Sequence, residues 1–498
     1  MRPLFRIALA AMAVSAALGQ TDSLTSRIGE RLTANGLKAD VSFLASDALE
    51  GRGTPSRGLD IAAEYIASEF RRAGLEPAGD DGYFQTAPFT SVTPNAEGLE
   101  FTLEAGGRTI AAGKAAMSIQ RGGPLDLSHA GAIQIVAADT AAMDAFFALP
   151  AGQVKGRVLL VELPEAASNV RPDPRLARIL TGDQAALVVL LGPMAPAAGR
   201  GPQLRDASSP APARPTLMVG DTAVRAAVAA LPAGPMEATV SVHMPEPIAT
   251  PVKLRNVAGV LRGSDPQLKD TFVVLTAHYD HLGIRGQGEG DRIYNGANDD
   301  ASGTASLIEI ANALSGLASR PRRSILFLAL FGEEKGLLGS RYYARHPIYP
   351  LAKTLADINL EQLGRTDETG EGEKLGQFNL TGFDFTDLAA SLRKYAEPAG
   401  VKVVKDEAKT DAFFTRSDNA AFATVGVPST TLSVTYVFSD YHQPGDEWPK
   451  LDFENMAKVD RAIALAAFGL ADGVEVPQWN AENPRTEAYR KARENAAR

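Results

Sequence analysis

The stretch FVVLTAHYDH, residues 272–281, decides the fold of this chain. Phe272 to Thr276 form an unbroken run of apolar and β-branched residues, which is typical of a strand buried on both faces of a sheet. The run ends in His278, Asp280 and His281, so two of the six histidines of the chain follow one core strand. Active sites of open α/β sheets lie beyond the carboxyl ends of the strands. The stretch therefore predicts a site here, with a plain polar cap on the strand as the alternative.

Strands and helices alternate in the sequence from Pro251 onward. Further apolar runs predict strands at Ser324 to Phe331, Leu355 to Leu360 and Ser429 to Val434, and apolar periodicity predicts helices around Leu307 to Leu314 and over Leu388 to Ala396. Such βα alternation builds a mostly parallel sheet covered by helices. We therefore predict an α/β fold of that architecture for this half of the chain.

The composition limits the classes of protein and site. The 498 residues carry a net charge of −9 and contain no basic cluster, which argues against a nucleic-acid partner. The chain has no cysteine, which excludes disulfides, thiolate catalysis and cysteine-ligated metals. Any metal must therefore be held by histidine, aspartate and glutamate.

Residues 1–19 have the features of a secretory signal peptide. Arg2 and Arg6 give the positive start, Ile7 to Leu18 the apolar core, and Ala17 to Gly19 a small-residue cleavage site. This core is too short to span a bilayer, and no other stretch is long enough. We expect a secreted or periplasmic protein without a membrane span.

The remaining chain divides by composition into four segments. Between residues 98 and 245 it is rich in Ala, Gly and Pro, with short apolar runs separated by turn signals, which predicts an inserted, mostly β domain. We expect 20–97 and 246–472 to form one catalytic domain around this insert, and 473–498 to be a polar tail. An amphipathic helix carrying Leu59 to Phe70 belongs to the first of these segments.

Polar groups follow the ends of the apolar runs in the second half of the chain. Each has an ordinary explanation alone, such as a solvated loop or a helix cap. A parallel sheet, however, brings its strand ends to one edge, where clustered acids would repel one another unless cations neutralise them. Imidazole with carboxylate is a donor mixture that suits zinc. The groups are His278-Tyr-Asp280, Asn298-Asp299-Asp300, Glu333-Glu334, Glu361 and Tyr441-His442.

Five sequence motifs in this half resemble the di-zinc aminopeptidases of clan MH, which include secreted bacterial leucyl-type aminopeptidases and glutamate carboxypeptidase relatives. They are AHYDHLG, YNGANDDASG, FGEEKGLLGS, INLEQLGR and SDYHQPGDEW, and they occur in order over most of 251–450. DALEGRGTPSRG, in 26–90, resembles the secreted members, and GQVKGRVLLVE in the insert resembles a protease-associated (PA) domain. The resemblance implies a zinc exopeptidase fold.

The resemblance also implies a set of metal ligands. His278 and Glu361 would hold one zinc ion, Glu334 and His442 would hold the other, and Asp299 would bridge the two. Each ion would then have three protein ligands and room for a shared water, as catalytic zinc requires. Glu361 stands where many relatives have aspartate, which alters reach more than chemistry. His281 is expected to support the site or the fold and not to bind metal.

Three further residues receive catalytic roles from the resemblance. Glu333 would be the general base, taking a proton from the water between the metals and delivering it to the leaving amine. Tyr441 would donate a hydrogen bond to the tetrahedral oxyanion. Asp280 would orient His278. In relatives the peptide bond after the bridging aspartate is cis, so Asp299–Asp300 is expected to be cis.

The predicted activity is hydrolysis of N-terminal residues from a peptide substrate. A carboxypeptidase of the glutamate type would need a cationic pocket for a terminal carboxylate, and four arginines lie near the motifs. Glutaminyl cyclase-like chemistry and a non-catalytic binding protein are further alternatives. The sequence leaves the preferred substrate residue and the oligomeric state open, although Phe413, Phe414 and Phe438 would line an apolar pocket or belong to the core. The four arginines are Arg285, Arg292, Arg365 and Arg416.

Overall fold

The computed structural model describes residues 24–496 except 166–172, 174, 183, 194–201, 209–213, 287 and 371. The predicted signal peptide, residues 1–19, lies outside the described residues. The chain forms two compact units: the described residues up to Ala87 together with those from Lys253 onward, and Pro88–Val252. The insert expected over 98–245 lies within the second unit, whose ends reach further in both directions.

The first unit is built on a mixed sheet whose four central strands are parallel. Phe272–His278 pairs in parallel with Ser324–Leu330 on one side and with Thr354–Leu360 on the other. All of its residues are buried, as expected of a strand covered on both faces. The predicted fold class is therefore confirmed. The spatial order of the strands is Lys402–Val404, Gln377–Leu380, Ser429–Ser433, Thr354–Leu360, Phe272–His278, Ser324–Leu330, Ile248–Leu261 and Phe84–Thr93.

Two antiparallel strands flank the parallel core, and the sequence did not predict them. Ile248–Leu261 runs antiparallel to Ser324–Leu330, and Gln377–Leu380 runs antiparallel to Ser429–Ser433. The first begins with exposed residues, and the second has only four residues, so neither shows the long apolar run of a buried strand. Ile248–Leu261 neighbours Phe84–Thr93 in the sheet, and the chain between these two strands makes up most of the second unit.

Helices cover the sheet of the first unit. Arg57–Ala73 buries Leu59, Ile66 and Phe70 along one face, as predicted, and ends at Gly74, whose φ of 76° suits a left-handed C-cap. This helix contacts Gly303–Ser315. The helices of the unit are residues 24–31, Ala34–Leu44, Arg57–Ala73, Gly303–Ser315, Leu338–Arg345, Leu388–Ala396, Thr410–Phe413, Asn419–Thr424, Phe453–Asp472 and Glu487–Ala496.

The second unit has its own sheet and core. The strands of this sheet lie in the order Arg108–Ala111, Glu100–Ala105, Gly234–Met244, Leu125–Val136, Val158–Glu162, Leu187–Leu191, Thr216–Val219 and Met117–Arg121. A further described strand of the unit, Gln203–Asp206, pairs antiparallel with Phe84–Thr93. Parallel pairs form the middle of this sheet and antiparallel pairs its edges. The helices are Thr140–Phe147, Ala151–Val154, Leu176–Thr181 and Thr222–Ala229.

The polar tail, 473–498, packs on the first unit over its described part. Trp479 is buried, and its indole N–H donates to the backbone carbonyl of Gly426 at 2.9 Å. The tail therefore contributes to the core despite its charge. Across the described residues, no helix combines the length and the apolar composition that crossing a membrane requires.

Candidate metal centre

Four adjacent parallel strands bring the predicted polar groups to one edge of the sheet. His278 ends its strand, Glu333 and Glu334 form the turn after Ser324–Leu330, and Glu361 follows Thr354–Leu360. Tyr441 and His442 lie in the loop beyond Ser429–Ser433. Because the carboxyl ends of parallel strands share an edge, residues distant in sequence meet here.

Asp299 lies in the turn Ala297–Ser302, directly before the helix Gly303–Ser315. The Asp299–Asp300 peptide bond is cis, as predicted. The carboxylate of Asp446 accepts hydrogen bonds from the backbone N–H groups of Asn298, at 3.0 Å, and Asp299, at 3.1 Å. Asp446 belongs to the same loop as His442, so this loop both supplies an imidazole and fixes the backbone of the turn.

The turn also needs a glycine at residue 296. Gly296 has a φ of 57°, and a Cβ there would lie 2.2 Å from the carbonyl oxygen of Asp299 and 2.3 Å from the ring of His281. No side chain fits that space. The close approach lets His281 pack against the turn that carries Asp299.

Asp299 stands between two imidazoles. Nε2 of His278 lies 3.3 Å from Oδ1 of Asp299, and Nε2 of His442 lies 3.1 Å from Oδ2 of the same carboxylate. Nε2 of His442 is also 3.3 Å from Oε1 of Glu334. Each carboxylate oxygen of Asp299 therefore faces a different histidine, which is the arrangement that a bridging ligand needs.

Two groups of three potential ligand atoms meet at this carboxylate. His278, Asp299 and Glu361 form one group, and His281, Asp299 and Glu334 form the other, with all atoms of a group within 4.8 Å of one another. Nε2 of His278, both ring nitrogens of His281 and Oε1 of Glu334 are buried without a well-aligned hydrogen bond. Buried polar atoms without partners are costly, and a cation in each group would satisfy them. Each of the two groups therefore has donors that fit a divalent cation, and Asp299 belongs to both groups.

His281 is closer to the candidate ligands than the sequence suggested. Its Nδ1 lies 2.8 Å from Oε1 of Glu334, and its ring centroid is 5.7 Å from that of His442. Both histidines thus face the same glutamate. The prediction that His442 and not His281 binds the second cation stays a prediction.

Asp280 connects His278 to the turn that carries Glu333 and Glu334. Its Oδ1 accepts a hydrogen bond from the backbone N–H of Glu333 at 3.0 Å, and its Oδ2 accepts from Oγ1 of Thr54 at 2.9 Å. Its Oδ1 is 3.6 Å from Nδ1 of His278. These contacts suit a residue that positions both His278 and Glu333.

Burial and mutual repulsion shift the protonation of the acids. Burial raises the pKa of Glu361 to about 7, although the charge of His278 acts in the opposite direction. Burial also raises the pKa of Glu333 well above its usual range, reinforced by the nearby carboxylates of Glu361 and Asp418. Burial alone would raise the pKa of Glu334 too, but the close imidazoles of His281 and His442 lower it to about 2. Without cations, these carboxylates cannot all carry charge.

Tyr441 presents a protonated phenol to the site. Its ring stacks on that of His442, with centroids 4.0 Å apart. Burial raises the pKa of the phenol, and the charges of Asp299 and Glu361 raise it further. The hydroxyl therefore stays a hydrogen-bond donor at neutral pH.

Arg52 is a buried cation behind the site, and sequence analysis gave it no role. Its guanidinium is fully buried and donates to the backbone carbonyls of Tyr279 at 2.8 Å, Asn295 at 2.8 Å, Gly296 at 3.0 Å and Leu44. The carbonyl of Tyr279 belongs to the loop that follows His278, those of Asn295 and Gly296 to the chain leading into Asp299, and that of Leu44 to the end of the helix Ala34–Leu44. Arg52 thus fixes two segments that carry candidate ligands, although burial lowers its pKa to about 10.

A cavity of about 300 Å³ opens over these residues. Phe413 lines it, whereas Phe414 and Phe438 are buried in the core. Of the four arginines near the motifs, Arg416 lines the cavity and Arg365 is bound by Asp367 and Asp440. The candidate residues along its wall are Asp299, Glu333, Glu334, Glu361, Tyr441 and His442.

The segment 256–467, which holds every predicted ligand, matches peptidase family M28. Over this segment the chain is similar to that family. The match supports the resemblance to clan MH zinc peptidases for the part of the chain that carries the motifs. A probable zinc metalloprotease of Leptosphaeria maculans is 39% identical over 103 residues, and aminopeptidase YwaD of Bacillus subtilis is 32% identical over 115 residues. The chain spans 23% of the length of each of these relatives and is matched over 20% and 23% of its own length.

Solved structures share the fold of this chain over most of its length. An aminopeptidase from Aneurinibacillus sp. strain AM-1 superposes with a TM-score of 0.54 at 18% identity, covering 92% of this chain and 100% of the other. BSAP, a zinc aminopeptidase from Bacillus subtilis, gives a TM-score of 0.50 at 20% identity, with 92% and 98% covered. At these identities the similarity concerns the fold.

Proposed function

We propose that this protein is a zinc-dependent aminopeptidase that hydrolyses N-terminal residues from peptides. The observation that carries the proposal is the pair of ligand groups that share Asp299 at the end of the parallel sheet. The match of 256–467 to peptidase family M28 and the names of the relatives support it.

The proposed ligands follow the resemblance and the distances. His278 and Glu361 would hold one zinc ion, Glu334 and His442 would hold the other, and Asp299 would contribute to both sites. Zinc supplies Lewis acidity and lowers the pKa of a coordinated water towards neutrality. The chain supplies the positions of the donors, because Arg52, Asp280 and Asp446 fix the loops that carry them.

Glu333 and Tyr441 are the proposed catalytic residues. Glu333 lines the cavity beside the ligand Glu334, and none of the described residues gives its carboxylate a hydrogen bond or an ion pair. The carboxylate is therefore free to accept a proton from water and to pass it to the departing amine. Tyr441 can donate its hydroxyl hydrogen to the oxygen that becomes negative in the transition state.

Hydrolysis and metal content together test this function. We expect the purified protein to bind two zinc ions and to cleave leucine p-nitroanilide, whose amine is free. Removal of zinc by dialysis against 1,10-phenanthroline should lower the rate more than 100-fold, and two equivalents of zinc should restore it. Cleavage that survives complete zinc removal would contradict the proposal.

Substitution of the histidines separates ligands from supporting residues in the same assay. His442→Ala is expected to leave one tightly bound zinc, whereas His281→Ala keeps two. His346→Ala is a matched control, because His346 is exposed and does not line the cavity. Loss of zinc from His281→Ala with retention in His442→Ala would exchange the two assignments.

Export and the PA-like character of the insert stay predictions. We propose that residues 1–19 are removed and that the mature protein begins near residue 20. Edman sequencing of the exported protein tests this, and an intact N-terminus on the exported chain would contradict it.

A further inference from the structure

Arg416 has a distinctive place in the cavity that opens over the candidate metal centre. Among the described residues that line the cavity, no other arginine or lysine occurs. Four carboxylates line the same cavity. Its neighbour Ser417 is buried, and Oγ of Ser417 accepts a hydrogen bond from Asn359 at 2.8 Å. Asn359 lies two residues before Glu361. The backbone of Arg416 is thus tied to the strand that delivers a proposed zinc ligand.

Aromatic rings support the guanidinium. The group lies over the ring of Phe413, 4.3 Å from the centroid, and the Phe413 ring packs on Tyr436 at 5.0 Å. Phe413 and Tyr436 line the cavity as well. Stacking of this kind restrains the side chain while leaving its N–H groups free to bind.

No described carboxylate neutralises Arg416, although its side chain is exposed beside an acidic site. Arg365 is the contrasting case, since its guanidinium binds Asp367 at 2.6 Å and Asp440 at 3.0 Å. A guanidinium without an internal partner presents a fork of donors that matches a carboxylate. The cavity thus has one position suited to an anion, and four acids line the rest.

We propose that Arg416 binds a carboxylate of the substrate on the leaving-group side of the scissile bond. This inference rests on the proposed peptidase function and defines its substrate class. The cavity volume of about 300 Å³ is at the small end for ligand pockets, which suits a short peptide. The carboxylate is either the free C-terminus of a dipeptide or tripeptide or an acidic side chain, and the chemistry of recognition is the same.

Matched substrates distinguish these two sources. The zinc-loaded wild type and the variants Arg416→Gln and Arg416→Lys are compared on Leu-Ala, Leu-Ala amide, Leu-Asp amide, Leu-Asn amide and leucine p-nitroanilide. Arg320→Gln is the control for loss of one positive charge, because Arg320 is exposed and does not line the cavity. We expect Arg416→Gln to lower kcat/KM about tenfold or more for carboxylate substrates and less than threefold for the others. Arg416→Lys should recover part of the loss.

The pattern of losses decides the outcome. A selective loss with Leu-Ala relative to its amide assigns Arg416 to the C-terminal carboxylate. A selective loss with Leu-Asp amide relative to Leu-Asn amide assigns it to an acidic side chain. A change that is equal for all substrates, or equal to that of Arg320→Gln, overturns the inference.

Calorimetric titration tests carboxylate binding by Arg416 independently of whether the protein is a peptidase. If the wild type cleaves none of the five compounds, the peptidase proposal fails. Binding of Leu-Ala and Leu-Ala amide to the zinc-loaded wild type and to Arg416→Gln then tests the subsite alone. Tighter binding of the acid that disappears in Arg416→Gln supports the carboxylate site, and equal binding of acid and amide overturns it.

Discussion

Glu333→Gln is expected to lower kcat for leucine p-nitroanilide by about 10³–10⁴-fold while both zinc ions stay bound. The substitution keeps the size of the side chain but removes its ability to accept and return a proton, and general acid–base catalysis contributes about 10²–10⁴-fold. Glu333 belongs to neither of the two groups of candidate ligands, so metal binding should persist. Steady-state rates and zinc content by atomic absorption measure the two quantities on the same sample.

Lys335→Gln provides a matched control two residues away. Lys335 is exposed, belongs to the same turn and does not line the cavity. The kcat of Lys335→Gln for leucine p-nitroanilide should stay within a factor of two of the wild-type value. A Glu333→Gln variant that keeps more than a tenth of the rate would remove Glu333 from the role of base. Loss of zinc from that variant would make it a ligand instead.

Arg52→Met is expected to lower the free energy of unfolding of the first unit by about 3–5 kcal/mol, as measured by urea unfolding of the zinc-free protein. Methionine has similar length but no donor, so the carbonyls of Tyr279, Asn295, Gly296 and Leu44 would lose their partner in the interior. The substitution also removes a buried positive charge near Asp280 and Asp300. Zinc affinity should fall as well, because the segments carrying His278 and Asp299 lose their common support.

Arg52→Lys and Arg57→Met complete that experiment. Lysine keeps the positive charge but can donate to fewer of the carbonyls. The free energy of unfolding of Arg52→Lys should therefore lie between those of the wild type and Arg52→Met. Arg57 is exposed at the start of the helix Arg57–Ala73, and Arg57→Met should change stability by less than about 0.5 kcal/mol. If Arg52→Met unfolds at the same urea concentration as the wild type, the carbonyls do not depend on Arg52.

The sequence predicted the features of the site that depend on single segments. Phe272–His278 is apolar or β-branched until its last residue, so both the buried strand and its functional end could be inferred. Thr354–Leu360 was also predicted as a strand over most of its length, and Glu361 follows it directly. Parallel topology then placed these ends together.

The sequence could not predict the features that depend on long-range contacts. Arg52 lies in a polar stretch that is typical of a surface loop, yet its side chain is buried. Its hydrogen-bond partner Tyr279 is 227 residues away in the sequence. Asp446 is equally ordinary in sequence, and its contact with the backbone of Asp299 appears only after both loops are folded. The position of His281 against Glu334 depends on the turn at Gly296, which hydrophobic periodicity does not describe.

The neighbouring strands Phe84–Thr93 and Ile248–Leu261 have a consequence for the modularity of the protein. The second unit leaves and rejoins the first unit through these two strands, which are adjacent in the sheet. The sheet therefore fixes the distance between the points where the inserted chain begins and ends. The entropic free energy of closing that chain into a loop rises only slowly with its length. A sheet of this kind can therefore accept inserted domains of different lengths without a change at the edge that carries the candidate ligands.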